Sequence, residues 1–124
     1  MNYHYNKKQN REKGRCGEIL ARKYLEEKGY RILEQNYRCC CGEIDLIGLD
    51  GTYLVFIEVK ARRTNHQGYP SEAVDRKKQK KISQTAAFYF SEHRIREDVP
   101  IRFDVVEILR DRIRHIENAF EYYK

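Results

Sequence analysis

Hydrophobic and polar positions recur with two different spacings along the chain, and the spacing predicts where helices and strands lie. In residues 11–28 the apolar positions fall on one half of a helical wheel, and Gly29 follows the last turn. This pattern predicts a helix that ends at a glycine. A second helix is predicted over residues 72–92 by an apolar stripe at helical spacing, formed by Ile82, Ala86, Tyr89 and Phe90.

Alternation with a period of two predicts the strands. They lie at residues 30–38, 43–49, 53–62, 102–109 and, as a last short strand, 112–116. Asp50-Gly51 between the second and third strands is a strong hairpin signal, and residues 63–71 are predicted as a loop. The order α-β-β-β-α-β-(β) predicts an α/β (α+β) fold, a mixed sheet flanked by helices. One domain over residues 11–117 is expected, with a flexible basic arm at 1–10 and a tail at 118–124.

Composition narrows the class of protein. The chain has 124 residues and 40% hydrophobic residues, which is typical of a folded single domain rather than a disordered chain. The sequence has no long apolar run for a membrane span and no apolar segment near its start typical of a secretory signal. We therefore expect a cytoplasmic protein without a membrane partner. The net charge of +6 favours an anionic partner, nucleic acid first.

The four cysteines are Cys16 and the consecutive Cys39, Cys40 and Cys41. They lack the paired C-x₂-C spacing of zinc ribbons and fingers. With no export signal, we interpret them first as reduced thiols, and a metal or redox role is the less favoured alternative.

The two strands joined by the hairpin carry the candidate chemistry. Alternation places Asp45 on one face with Glu43 and Ile47, and Glu58 on one face with Lys60. The turn brings Asp45 beside Glu58, within the reach of cross-strand neighbours. Two adjacent carboxylates repel each other unless a cation lies between them, and a hard divalent ion such as Mg²⁺ prefers such oxygen ligands. Lys60 could then stabilise negative charge on a phosphate or orient a water.

Both predicted helices offer polar residues to this site. Glu18 lies at the edge of the apolar face of the first helix, so it could point to the sheet. Lys78 and Gln79 extend the apolar stripe of the second helix towards its start. Each residue alone has a plainer interpretation, because E-x-K triplets and basic runs are usually solvated ion pairs and surfaces. The joint pattern is what indicates a metal site.

These residues resemble the PD-(D/E)-x-K nuclease superfamily, in which Asp45 matches the motif aspartate and Glu58-Val59-Lys60 the E-x-K. The closer resemblance is to the YraN (UPF0102-type) family of bacterial proteins, which look like Holliday-junction resolvases. It covers nearly the whole chain and is carried by Gly17-Glu18, GEIDLI (42–47), LVFIEVK (54–60), Lys78-Gln79 and RFDVVEI (102–108). Ile44 stands where the superfamily motif has proline, as is usual in the resolvase-like branch.

The resemblance implies a restriction-endonuclease-like mixed sheet flanked by helices. It implies Glu18, Asp45 and Glu58 as acidic metal-site residues, Lys60 as the catalytic lysine and Gln79 as a supporting catalytic residue. The leading hypothesis is an endonuclease using Mg²⁺ or Mn²⁺ on DNA, branched or otherwise structured, with the Val59 carbonyl as a third metal ligand. A homodimer would suit a two-armed junction.

Basic residues complete the hypothesis. Residues 7–15 and 75–81 each carry a net charge of +4, and phosphate contacts of this kind position nucleic acid without reading bases. The predicted DNA-binding residues are Arg15, Arg38, Arg62, Arg63, Lys77, Lys78 and Lys81. Two alternatives stay open. One is a nucleic-acid-binding protein with this fold but no turnover, and the other is an interaction protein whose acids only form ion pairs.

Overall fold

A computed structural model describes residues 7–62, 74–110 and 112–123, with side-chain surroundings for 16–61, 74–110 and 112–123. The elements in chain order are α1 (Lys7–Glu27), β1 (Arg31–Cys39), β2 (Gly42–Asp50), β3 (Tyr53–Arg62), α2 (Arg76–Glu92), β4 (Ile101–Leu109) and β5 (Arg112–Phe120).

The described strands form one sheet in the order β1-β2-β3-β4-β5. Neighbouring strands are antiparallel except β3 and β4, which are parallel. A parallel pair needs a crossover connection, and α2 lies in the segment that joins these two strands. The predicted mixed sheet with flanking helices, and the order of its elements, are confirmed.

Several boundaries differ from the prediction. Helix α1 begins at Lys7 rather than at residue 11, so residues 7–10 belong to the helix and not to an arm. Helix α2 begins at Arg76 because the Asp75 side chain accepts a hydrogen bond from the Lys78 amide and caps the helix. Strand β5 continues to Phe120, because its last apolar residues pack on the core. The predicted loop at 63–71 lies outside the described residues.

Each face of the sheet is covered by one helix. Leu25 of α1 packs with Val55, Ile57 and Val106 in a cluster that we call the α1-side core. On the other face the α2-side core joins α2 to the sheet, and its members include Ile44, Phe56, Ile82, Tyr89 and Phe103. The central strand β3 therefore contributes alternate residues to both cores, which explains its nearly continuous apolar sequence. Among the described residues, no helix is long and apolar enough to cross a membrane.

A buried ionic network joins β4 to β5 and to the segment after α1. Asp104 is fully buried and accepts hydrogen bonds from the Arg102 guanidinium (2.8 Å), from His115 Nε2 (2.7 Å) and from the Asn118 amide (3.0 Å). Tyr30 hydroxyl also donates to Asp104 Oδ2 at 3.3 Å. Burial opposes ionisation, but these donors outweigh it and hold the pKa of Asp104 below its ordinary value.

We expect Asp104→Asn to lower the free energy of unfolding by about 3 kcal/mol, because it leaves Arg102 without its buried counter-charge. The depressed pKa of Asp104 stabilises the fold above about pH 4, and this contribution is lost as pH falls through the folded-state pKa. The variant should therefore lose stability mainly above pH 4 and show a flatter acid limb. Urea unfolding between pH 3 and 8 measures both effects.

Asp98→Asn is the matched control, because Asp98 pairs with Arg96 at 2.9 Å while the two side chains stay 67% and 82% exposed. It should change stability by less than about 0.5 kcal/mol. Equal losses in the two variants would contradict the structural role of the buried network.

Candidate metal centre

The hairpin of β2 and β3 brings the two predicted acids together. Leu46 pairs with Ile57 in the antiparallel ladder, so the next positions along the strands are Asp45 and Glu58. The Val59 amide donates a hydrogen bond of 2.8 Å to Asp45 Oδ2. Glu58 is only 6% exposed. The pairing predicted from the turn is therefore present. Val59 contacts Asp45 through the backbone amide nitrogen of Val59.

Strand β2 is irregular at Asp45. Ile44 and Ile47 both lie in the α2-side core, whereas Leu46 lies in the α1-side core, so strict alternation fails between Ile44 and Leu46. On β1, Gln35 pairs with Leu46 and Tyr37 with Ile44, which places Asn36, with its left-handed φ of 55°, opposite Asp45. The simple alternation predicted for residues 43–47 does not describe this segment, because Ile44 and Leu46 lie on opposite faces beside the irregular backbone of Asn36.

The environment of Asp45 opposes its ionisation. Burial is the largest cause, the negative charge of Glu58 is the second, and together they raise the pKa of Asp45 to about 8. The Val59 amide works in the opposite direction, and the charge of Glu18 adds to the rise. In the absence of a cation, this carboxyl therefore holds a proton at neutral pH. A divalent ion would reverse that balance, because it favours the ionised form.

Two lysines face Glu58. Lys78 Nζ lies 2.7 Å from Glu58 Oε1 and Lys60 Nζ lies 3.8 Å from the same atom. Burial and the neighbouring charge of Lys78 lower the pKa of Lys60. Burial also disfavours the charge of Lys78, but its hydrogen bond and attraction to Glu58 prevail and raise its pKa. The closest cation to the buried acid is thus Lys78 of α2, which we predicted as a DNA contact, rather than the motif lysine.

The start of α2 fixes Lys78 in this position. Asp75 accepts from the Lys78 amide at 2.8 Å and holds the first turn of the helix beside the hairpin. The Gln79 side chain contacts the backbone before α2, since its Nε2 donates to the Val74 carbonyl at 2.8 Å. Gln79 thereby supports the segment that leads into α2, and its role as a supporting catalytic residue stays a prediction.

Glu18 reaches the same region from the opposite face. Its side chain is half-buried, and its charge contributes to the raised pKa of Asp45. The backbone at Gly17 lies close to the sheet, since a Cβ built there would be in ordinary van der Waals contact with Ile108 Cδ1 (3.6 Å) and Ala61 Cβ (3.8 Å). Helix α1 therefore packs on β3 and β4 at this point, next to Glu18.

A cleft of about 390 Å³ opens onto the acids. Its lining combines acidic groups at the base with lysines at the start of α2, namely Gly42, Glu43, Asp45, Glu58, Asp75, Lys77, Lys78, Lys81 and Ile82. Arg38 lies beside it, highly exposed and 3.4 Å from Glu43. The predicted basic residues Lys77, Lys78, Lys81 and Arg38 therefore surround one opening. The side chains of Arg15, Arg62 and Arg63 lie outside the described part of the chain.

One acidic residue near the site was missed by the sequence analysis. Glu107 is only 2% exposed and is the direct partner of Lys60 in the β3–β4 ladder. Paired residues of neighbouring strands share a face of the sheet, so Glu107 lies on the face that carries Lys60. The sequence signal was a glutamate between the apolar residues Val106 and Ile108, because such a residue is rarely buried without a partner.

We expect Glu58→Gln to lower the pKa of Asp45 from about 8 while leaving it above its ordinary 3.8. The substitution removes a neighbouring negative charge, but burial, the larger cause, remains. Carboxyl ¹³C NMR titration of metal-free protein measures the change.

Glu43→Gln serves as the control for this titration, because Glu43 is an exposed acid that lines the same cleft. It should leave the titration of Asp45 nearly unchanged. An Asp45 that titrates near pH 4 in the wild-type protein would contradict the desolvated carboxyl pair.

Comparison with known proteins places the chain in a family. Residues 17–108 match the model of the uncharacterised protein family UPF0102. A UPF0102 protein of Lachnoclostridium phytofermentans is 47% identical over 110 residues, which cover 89% of this chain and 93% of that protein. A relative from Clostridioides difficile is 48% identical over 113 residues, covering 90% and 98%. The match includes all of the described acids and lysines of the cleft, and the chain belongs to the UPF0102 family.

Proposed function

We propose that the protein is a metal-dependent endonuclease that hydrolyses phosphodiester bonds in DNA. The observation that carries this proposal is the pair of adjacent carboxyls, the half-buried Asp45 and the buried Glu58, in a cleft lined by lysines. A buried pair of acids is costly for a fold unless it serves a cation. Lysines around the opening supply the positive charge that a phosphate backbone requires.

The donor set fits Mg²⁺ or Mn²⁺. Carboxylate oxygens are the ligands that these hard ions prefer, and both keep open positions for water and phosphate. Asp45 and Glu58 would hold the ion, with Glu18 near enough to hold a second ion or a bound water. When bound, the metal supplies Lewis-acid activation of a phosphodiester and of the attacking water.

The remaining residues of the site have separate tasks. Lys60 has a lowered pKa, so it can exchange a proton with an attacking water more readily than an ordinary lysine. Lys78 neutralises Glu58 at 2.7 Å before a cation arrives, and afterwards its ammonium is free to face a phosphate. Gln79 and Asp75 hold the first turn of α2 in place through hydrogen bonds to backbone atoms.

The basic surface favours recognition by shape. The lysines at the start of α2 and Arg38 are suited to phosphate contacts, which position a duplex without reading its sequence. A structured substrate such as branched DNA fits this mode, because its geometry rather than its base sequence marks the site of cleavage. A homodimer would present two such clefts to the two arms of a junction.

We expect the wild-type protein to cleave labelled junction, flap or duplex DNA with Mg²⁺ or Mn²⁺, and Asp45→Asn to be slower by about a hundredfold or more. Asparagine keeps the size of the side chain but removes its charge. Gel analysis of end-labelled substrates measures the rate, and Glu43→Gln, in the same cleft but outside the buried pair, should cleave at nearly the wild-type rate.

The same assay separates the alternatives. Salt-sensitive DNA binding without cleavage in either protein would indicate a binding protein that lacks turnover. If wild-type and Asp45→Asn proteins cleave equally, the site is misassigned. Negligible binding to both DNA and divalent ions would favour an interaction protein whose acids form only ion pairs.

We also expect Lys78→Met to bind Mn²⁺ severalfold more tightly than the wild-type protein, because the Lys78 ammonium competes with the metal for Glu58 Oε1. Lys77→Met removes the same charge from the neighbouring position, where the side chain is exposed, and should change the affinity less than about twofold. Titration of free Mn²⁺ by electron paramagnetic resonance measures both. An unchanged affinity in Lys78→Met would contradict this competition.

A further inference from the structure

The turn between β1 and β2 gathers three thiols. Cys39 is the last residue of β1 and pairs with Gly42, the first residue of β2, so Cys40 and Cys41 form the two-residue connection. Consecutive residues in a strand point in opposite directions, but the reversal of the chain here brings the three side chains together. The Sγ atoms of all three lie within 4.8 Å of one another.

Their spacing fits a common metal ion. A zinc ion held by thiolates at about 2.3 Å in tetrahedral geometry separates its sulfurs by about 3.8 Å. Cys40 Sγ and Cys41 Sγ lie 3.8 Å apart. The remaining sulfur–sulfur separations, at most 4.8 Å, would reach the same value with small rotations of the exposed Cys40 and half-buried Cys41 side chains. Thiolate sulfur is the ligand type that selects Zn²⁺ over Mg²⁺ or Mn²⁺.

The turn is also prepared for a thiolate. The Cys41 amide donates to Cys39 Sγ at 3.3 Å, a contact that is stronger when the sulfur is negative. Cys39 is half-buried against the α2-side core, which anchors the group, while Cys40 is exposed to solvent.

The turn is fixed against α2. A Cβ on Gly42 would lie 3.1 Å from Thr85 Oγ1 and 3.9 Å from Lys81 Cβ, so the end of the hairpin packs closely on the helix. Gly42 and Lys81 also line the acidic cleft. An ion at the cysteines would therefore hold the rim of the cleft without occupying its carboxylates.

We propose that Cys39, Cys40 and Cys41 form a second metal site, a three-thiolate site for Zn²⁺ whose fourth position is open to water or an external ligand. The proposal takes up the alternative of a metal role for the cysteines. The C-x₂-C spacing of zinc fingers is not needed here, because a tight hairpin turn brings consecutive cysteines together. The site is independent of the proposed nuclease activity.

Binding of Co²⁺ to the reduced full-length protein tests the proposal, because Co²⁺–thiolate bonds give charge-transfer absorption in the near ultraviolet and Zn²⁺ displaces the ion. The wild-type protein should bind one equivalent with this absorption, and Zn²⁺ should abolish it. Cys40→Ser should weaken binding by about tenfold or more. Cys41→Ser should do the same, and Zn²⁺ should raise the Tm of the wild-type protein but not of either variant.

Two controls separate this site from the rest of the protein. Cys16→Ser removes an exposed cysteine on α1 and should keep the full absorption. Asp45→Asn should keep it too, which separates the thiolates from the acidic cleft, so loss of DNA cleavage in that variant leaves the proposal intact. The proposal is overturned if the reduced wild-type protein shows no thiolate absorption, or if Cys40→Ser and Cys16→Ser bind Co²⁺ equally well.

Discussion

The structure depends on the neutralisation of one buried carboxylate, that of Glu58 on the central strand. Glu58 lies between the two cores, at 6% exposure, where an unpaired charge would cost several kcal/mol. Lys78 Nζ lies 2.7 Å from Glu58 Oε1, and this ion pair links the start of α2 to β3. Asp45 lies beside Glu58 and keeps its proton at neutral pH. The acidic end of the sheet is therefore held by charge compensation rather than by apolar packing.

That arrangement has a thermodynamic consequence. The folded-state pKa of Asp45, about 8, lies above its ordinary 3.8. Asp45 thus favours the folded state fully below about pH 4, and this contribution is lost as pH rises to about 8. At neutral pH most of this contribution is already lost, because folded Asp45 keeps a proton that the unfolded chain releases. A loss of folding stability of this kind is typical of functional sites.

The α1-side face of the sheet shows the opposite use of a buried acid, at Asp104, which pairs with Ile57 in the β3–β4 ladder. Asp104 is also on a central strand, but Arg102 and His115 and two further donors satisfy it fully within the protein. Its pKa falls, whereas that of Asp45 rises. The same residue type is thus stabilised as a carboxylate in one place and kept protonated in another. The number of donors around each carboxyl decides which outcome applies.

The sequence by itself determined the order of the elements, the hairpin at Asp50-Gly51 and the approach of Asp45 to Glu58, because short-range periodicity and turn chemistry control these features. It also determined the basic character of the start of α2. Element ends were less well predicted, since Lys7 and Phe120 lie in elements whose extent depends on long-range packing.

Only the tertiary structure decided three contacts of the site. Lys78 rather than Lys60 is the nearer ion-pair partner of Glu58, Gln79 donates to the Val74 carbonyl, and Glu107 pairs with Lys60 in the sheet. These facts depend on how α2 docks on the sheet and on the parallel register of β3 and β4. Neither is encoded in a local pattern. The cysteines are the clearest case: their spacing in the chain indicated no site, and a two-residue turn places their sulfurs within 4.8 Å. Proximity in a fold is set by chain reversal and docking, which sequence spacing alone does not record.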